Sequence, residues 1–143
     1  MDPSLHFITV STADLEASRA FYVNGLGWEP LLDVPGEIIF FQVAPGLVLG
    51  LFEAGKFARD QGLARALDGV RGVTLSHNVG SPDAVEAMYA GLVAAGGTAV
   101  KAPQDGAFGG IYHAMVRDPN GVTWEIAHNP GWRISDDGNV IFG

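Results

Sequence analysis

Two stretches of this chain carry the same order of elements, a strand, a helix and three more strands, and neither stretch can bury its sheet alone. In the first, Leu5 to Val10 reads as a strand with Ile8 and Val10 opposed to Phe7 and Thr9. Ser11 or Thr12 can cap a helix there, Asp14 suits its positive end, and Leu15, Ser18, Tyr22 and Leu26 recur at helical spacing until Asn24-Gly25. Pro35-Gly36 and Pro45-Gly46 divide the next three strands, Pro30 to Val34, Glu37 to Val43 and Leu47 to Phe52.

The order begins again after Gly72. Val73 to Val79 alternates as a strand, and Ser81-Pro82-Asp83 starts a helix with a cap, a first-turn proline and an early acid. Val85, Met88, Tyr89 and Leu92 form its apolar stripe, and Gly96-Gly97 stops it. Thr98 to Lys101, Ile111 to Arg117 and Val122 to Ala127 supply the last three strands, with Pro103 to Gly110 as a mobile loop. The reading is one domain, 1–143, with modules 1–53 and 72–130, a connector 54–71 holding a short helix around Phe57 to Leu67, and a C-terminal tail 131–143.

Asp118-Pro119-Asn120-Gly121 is strong turn chemistry. Proline presets the backbone, Asp and Asn bond their own main chain, and glycine accepts positive φ. Beyond the turn, Val122, Trp124 and Ile126 share one strand face while Thr123, Glu125 and Ala127 share the other. Glu125 therefore points away from the apolar side, toward water or the mouth of a pocket.

Composition removes several classes of function. With no cysteine there is no disulfide, thiolate nucleophile, iron–sulfur cluster or thiolate zinc site. A net charge of −8 argues against a nucleic-acid partner. No apolar run approaches the roughly 20 residues of a membrane helix. Met1 to Leu5 lacks a secretory pattern, so no membrane partner and a cytoplasmic location are expected. Gly109-Gly110 lacks the strand-to-helix setting of a phosphate loop and reads as a bend or gate.

Asp14-Leu15 through Phe21-Tyr22, Leu26-Gly27-Trp28, and Asp118-Pro119-Asn120-Gly121 followed by Trp124-Glu125 resemble the vicinal oxygen chelate superfamily. That superfamily includes glyoxalase I, bleomycin-resistance proteins, extradiol dioxygenases and fosfomycin-resistance enzymes. The resemblance implies an α+β fold in which two βαβββ modules form curved mixed sheets around a cup, commonly completed as a homodimer. It also implies four metal positions, on the first and last strand of each module, which carry over to Phe7, Gly50, Thr74 and Glu125. Only Glu125 is a metal ligand by chemistry, so the expectation is a cup without a cofactor. The rival is a divalent-metal enzyme of glyoxalase or dioxygenase type, in which a strand bulge turns His6 and His77 toward Glu125.

The expected ligand is a small organic molecule in an apolar cup lined by Phe7, Phe41, Gly50, Phe52, Thr74, Asn78, Phe108, Tyr112 and Trp132. As a lyase or isomerase, the protein would use Glu125 as base, its pKa raised by enclosure, with His77 or His113 as acid. His77 shares the parity of Val73 and Leu75, and the bland reading makes it a hydrogen-bonded strand-end histidine. The non-catalytic alternative is sequestration of a cationic aromatic compound, which the acidic composition suits.

Overall fold

Each module builds one four-stranded mixed sheet with the same strand order. In the first, β1 (Phe7–Thr12) runs parallel to β4 (Leu47–Glu53), and β3 (Ile38–Ala44) and β2 (Leu32–Val34) follow antiparallel. In the second, β5 (Thr74–Asn78) runs parallel to β8 (Thr123–His128), followed by β7 (Tyr112–Arg117) and β6 (Thr98–Asp105). The orders β1-β4-β3-β2 and β5-β8-β7-β6 are equivalent, so the repeat legible in the residues is a repeat in space. The computed structural model describes residues 1–143.

Asp14 caps α1 (Leu15–Arg19) by accepting from the Ala17 N–H at 2.9 Å, and the helix continues as a wider π-helical turn, Ala20–Gly25. Ser81 caps α3 (Pro82–Ala94) through the Ala84 N–H at 3.1 Å, with Pro82 in the first position where it forfeits no helical hydrogen bond. These helices cover one face of each sheet. Val10, Ile39, Phe41, Leu49 and Leu51 of the first sheet meet Ala114, Val116 and Ile126 of the second across Phe21, Tyr22, Val85 and Leu92, in one continuous core. Two glycines allow the modules to close. A Cβ on Gly97 would lie 2.5 Å from Val116 Cγ1 and 3.2 Å from the Phe21 ring, and one on Gly25 would lie 2.5 Å from Ala95 Cβ.

The Asp118–Gly121 turn ties the modules together. Asp118 Oδ1 accepts from the Asn120 and Val122 N–H groups at 2.9 and 2.8 Å, and Oδ2 accepts from the Tyr22 hydroxyl at 2.6 Å. Trp124 Nε1 in turn donates to the Tyr22 hydroxyl at 2.9 Å. Asn120 reaches the first strand, donating to the Ser11 carbonyl at 2.6 Å and accepting from the Ala13 N–H at 2.9 Å. Burial pushes the Asp118 carboxyl above the ordinary Asp value, although the Tyr22 and main-chain hydrogen bonds pull the other way.

Several boundaries differ from expectation. Ser11 and Thr12 are buried at the end of β1, and the cap falls to Asp14. The connector helix is α2 (Ala54–Asp60), earlier than expected, because both Glu53 carboxylate oxygens cap the N–H groups of Gly55 and Lys56 at 2.8 and 2.9 Å. β6 runs through Pro103 to Asp105, where a loop was expected. It is an edge strand with two register shifts, which is where a sheet tolerates proline. The tail folds into a hairpin of β9 (Trp132–Ile134) and β10 (Val140–Phe142), closed by Ser135 and Asn139. No helix is long and apolar enough to cross a membrane.

Candidate functional site

Because each sheet buries one face in the shared core, each turns its other face outward. Residues paired across neighbouring strands share a face. Three rows therefore cross the open face of the second sheet. They are Thr98, Arg117, Thr123 and Thr74; Lys101, Met115, Glu125 and Ser76; and Gln104, His113, Ala127 and Asn78.

Glu125 is the centre of this face. Its Oε1 lies 2.7 Å from His113 Nδ1, and its Oε2 accepts from the Ser76 hydroxyl at 2.8 Å. Both side chains are largely covered, with 12% of His113 and 25% of Glu125 exposed. Partial burial works to raise the Glu125 pKa. The hydrogen bonds from His113 and Ser76 and the charges of His113 and Lys101 outweigh it, so the group titrates below its ordinary value. The rise expected from enclosure is thus reversed. An ionised carboxylate only accepts, so the shared proton belongs to His113 Nδ1 and leaves Nε2 as the nitrogen that can take or give a proton.

The open face of the first sheet is aromatic. Phe7, half exposed at 51%, meets Phe40 edge-on with ring centroids 5.4 Å apart. Phe40 lies over Gly50, where a Cβ would come within 3.2 Å of its ring and 3.4 Å of Thr9 Oγ1. Phe52 shares this face and meets Phe57 of α2 edge-on at 6.4 Å.

Of the other candidates, Thr74 and Asn78 share the open face of the second sheet and the rest fall elsewhere. Phe41 is buried in the core against Tyr22 and Trp28, so it cannot line an open cup. Tyr112 is on the helix side, donating to Glu86 of α3 at 2.9 Å, although its neighbour His113 faces Glu125. Phe108 is 82% exposed in the β6–β7 loop, and Trp132 packs on Phe142 in the terminal hairpin. His77 pairs with Ile126, so it shares the core-side face, and β5 meets β8 without the bulge needed to bring it round to Glu125. It opens instead onto an apolar groove of about 830 Å³ between the modules, walled by Ile8, Leu49, Trp28, Trp124 and Met88. His6 precedes β1 and is exposed. Thr74 and Asn78 lie on the same face as Glu125, in its neighbouring rows.

A profile of the glyoxalase/bleomycin resistance protein/dioxygenase superfamily matches residues 4–126. The chain belongs to that superfamily. A glyoxalase-related enzyme from Fulvimarina pelagi is 37% identical, with a TM-score of 0.86 over 100% of this chain and 99% of that one. A glyoxalase/bleomycin resistance protein/dioxygenase from Nocardioides is 25% identical, with a TM-score of 0.74 over 94% and 91% of the two chains. A lactoylglutathione lyase from Agrobacterium tumefaciens shares the fold at 22% identity, with a TM-score of 0.68 over 90% and 96%. Among curated proteins, no relative matches this sequence.

In this superfamily member, the four positions carried over from the metal-binding pattern all lie on the open faces, but their chemistry does not suit a metal. Phe7 and Gly50 offer no donor, and Thr74 offers only a neutral hydroxyl beside Thr123. Nowhere in the chain do three or more His, Asp or Glu side chains converge. His113 could supply one nitrogen beside Glu125, which leaves the pair short of a binding set.

Ser76, Lys101, Phe40 and Arg117 were not singled out by the residues alone. Ser76 carried a signal, since it shares the parity of Thr74 and Glu125 pairs with that strand. Lys101 did not, because the β6 bulges break the alternation that would have placed it.

Proposed function

We propose that this protein binds a small organic molecule in a metal-independent cup. In that cup the aromatic open face of one copy's first sheet meets the polar open face of a second copy's second sheet. The cup is a site for proton transfer of lyase or isomerase type. His113 Nε2 is the acid–base atom, and Glu125 holds the ring and compensates the imidazolium charge.

The 2.7 Å His113–Glu125 contact carries this reading. Glu125 alone is a weakened base, because its pKa is lowered and both its oxygens already accept hydrogen bonds. A histidine oriented by a carboxylate keeps one nitrogen free and suits work near neutral pH. Glu125 is then a positioning residue, and His113 is the group that would touch the substrate. Two supports for a second copy are the unpaired outer edges of β1 and β5 and the separation of aromatic and polar faces within one chain. The 37% identical relative is described as an enzyme, which supports the catalytic reading.

The inter-module groove favours a second reading, sequestration without chemistry. Its Trp28 and Trp124 rings, packed at 88° with centroids 5.8 Å apart, form an apolar wall of the kind that holds flat ligands. Screening wild type, His113→Gln and Glu125→Gln against small carbonyl and enolisable compounds separates the two. Turnover lost in both variants with binding retained supports the first reading. Saturable binding without turnover, unchanged in both variants and abolished by Trp28→Ala, supports the second.

A further inference from the structure

We propose that the ligand of the polar face carries a single carboxylate, received by Arg117 and Lys101; this rests on the reading that the open faces form the cup. The argument begins with where the cations are. The chain holds 8 Lys and Arg against 16 Asp and Glu, and five of the eight lie outside ion pairs, Lys101 and Arg117 being the two that share the open face of a sheet. Arg19 is bound by Asp33 and Glu16, Lys56 by Glu37 at 2.7 Å, and Arg71 lies 4.0 Å from Asp68. Neither Lys101 nor Arg117 has a carboxylate within ion-pair distance, and both lie on the open face of the second sheet, in neighbouring rows of adjacent strands.

The carboxylates of this module turn elsewhere. Asp105 pairs with Tyr112, which faces the helix, and Asp83 and Glu86 belong to α3. Asp118 is buried, with its oxygens taken by Tyr22 and the turn N–H groups. Glu125 is the one acid on the face, and its two oxygens are occupied. In a protein of net charge −8, this face therefore presents two cations outside ion pairs and a histidine beside a single carboxylate, Glu125, whose ionised form Lys101 also favours.

The shape agrees with the charge. A polar concavity of about 620 Å³ opens at the turn end of the face, with Thr98, Arg117 and Thr123 in its lining opposite the Asp68–Arg71 pair of the connector, and Lys101 stands one row beyond it. A guanidinium fork with flanking hydroxyls matches a planar carboxylate. Glu125 would repel a second negative charge, so a monoanion fits better than a phosphate. With the carboxylate at Arg117 and Lys101, the rest of the ligand runs past Glu125 and His113 toward the Phe7–Phe40 wall of the other copy. The ligand class is an aryl- or alkyl-substituted carboxylic acid, with its reacting carbon near His113 Nε2.

The test uses three probes of one shape, benzoate, benzyl alcohol and benzylammonium, titrated into the full-length protein. Binding is followed by calorimetry and by the NMR signals of His113 and its neighbours. Benzoate should bind, shift His113, and weaken about tenfold or more in Lys101→Met and in Arg117→Gln. Benzyl alcohol should be unaffected by either change, and thermal midpoints should match wild type. If benzyl alcohol or benzylammonium shifts His113 at concentrations at or below those benzoate needs, the anion assignment falls while the cup stands. If no probe reaches His113, the cup reading fails and takes this proposal with it.

Discussion

Replacing Asp118 with alanine should cost this fold more than any other single change in the turn. The carboxylate accepts three hydrogen bonds, from the buried Tyr22 hydroxyl and from two main-chain N–H groups. Leaving a buried donor unsatisfied costs about 1–3 kcal/mol. The Asn120 N–H borders the polar concavity, where water can replace the lost acceptor, so the full sum does not apply. The variant is also relieved of a desolvated carboxyl, the cause of the raised Asp118 pKa. The net loss is then about 2–4 kcal/mol out of a typical domain stability of about 5–15. With a urea slope of roughly 2 kcal/mol/M, the unfolding midpoint should fall by about 1–2 M at fixed protein concentration. Tyr22→Phe strands Trp124 Nε1 in the same network, so the double variant should lose less than the two single losses combined, by about 1 kcal/mol or more. A loss below about 1 kcal/mol for Asp118→Ala, or strict additivity with Tyr22→Phe, would refute the clamp.

Gly97→Ala places a methyl 2.5 Å from Val116 Cγ1 and 2.8 Å from the Leu92 carbonyl, and should lower stability by about 1–3 kcal/mol in the same denaturation assay. Stability against pH should carry two opposite signatures. The folded-state pKa of Glu125 is lowered, so its contribution is present above the ordinary carboxylate value and is lost as pH falls through the lower folded value. Glu125→Gln should flatten that acid limb. The folded-state pKa of Asp118 is raised, so its charged form costs stability as pH rises from the ordinary value through the folded one. Asp118→Asn should remove that decline. Tag-free protein, assayed by plasma mass spectrometry after addition and removal of nickel, zinc, manganese and iron(II), should retain no stoichiometric metal. Near-equimolar metal that disappears in Glu125→Gln would contradict the donor chemistry of the open faces.

The alternation of short strands made most of the architecture legible. Val122, Trp124 and Ile126 against Thr123, Glu125 and Ala127 placed Glu125 on an outward face, and the β5–β8 register puts it there. The same parity placed His77 on the opposite side, where it lies. His113 resisted because Ile111 and Met115 on its own parity are as apolar as Tyr112 and Ala114 on the other. Only the antiparallel register with β8 decides it. The Asp118 turn was readable as a turn, but its side-chain partners Tyr22 and Ser11 lie 96 and 109 residues away, beyond any local pattern. Phe41 looked like a cup residue because two adjacent phenylalanines must face opposite ways, and nothing local says which one is inward. The terminal hairpin escaped because strands of three residues each are too short for alternation to show.

The measurement closest to the centre of this account is the tautomeric state of His113, read from nitrogen-15 NMR of the histidine-labelled protein at a pH where the ring is neutral. With Glu125 2.7 Å from Nδ1, the proton should reside on Nδ1 and leave Nε2 bare, and Glu125→Ala should abolish that preference. A proton on Nε2 in the wild type, or a tautomer indifferent to loss of Glu125, would mean that the pair is not the acid–base unit on which the proposed function stands.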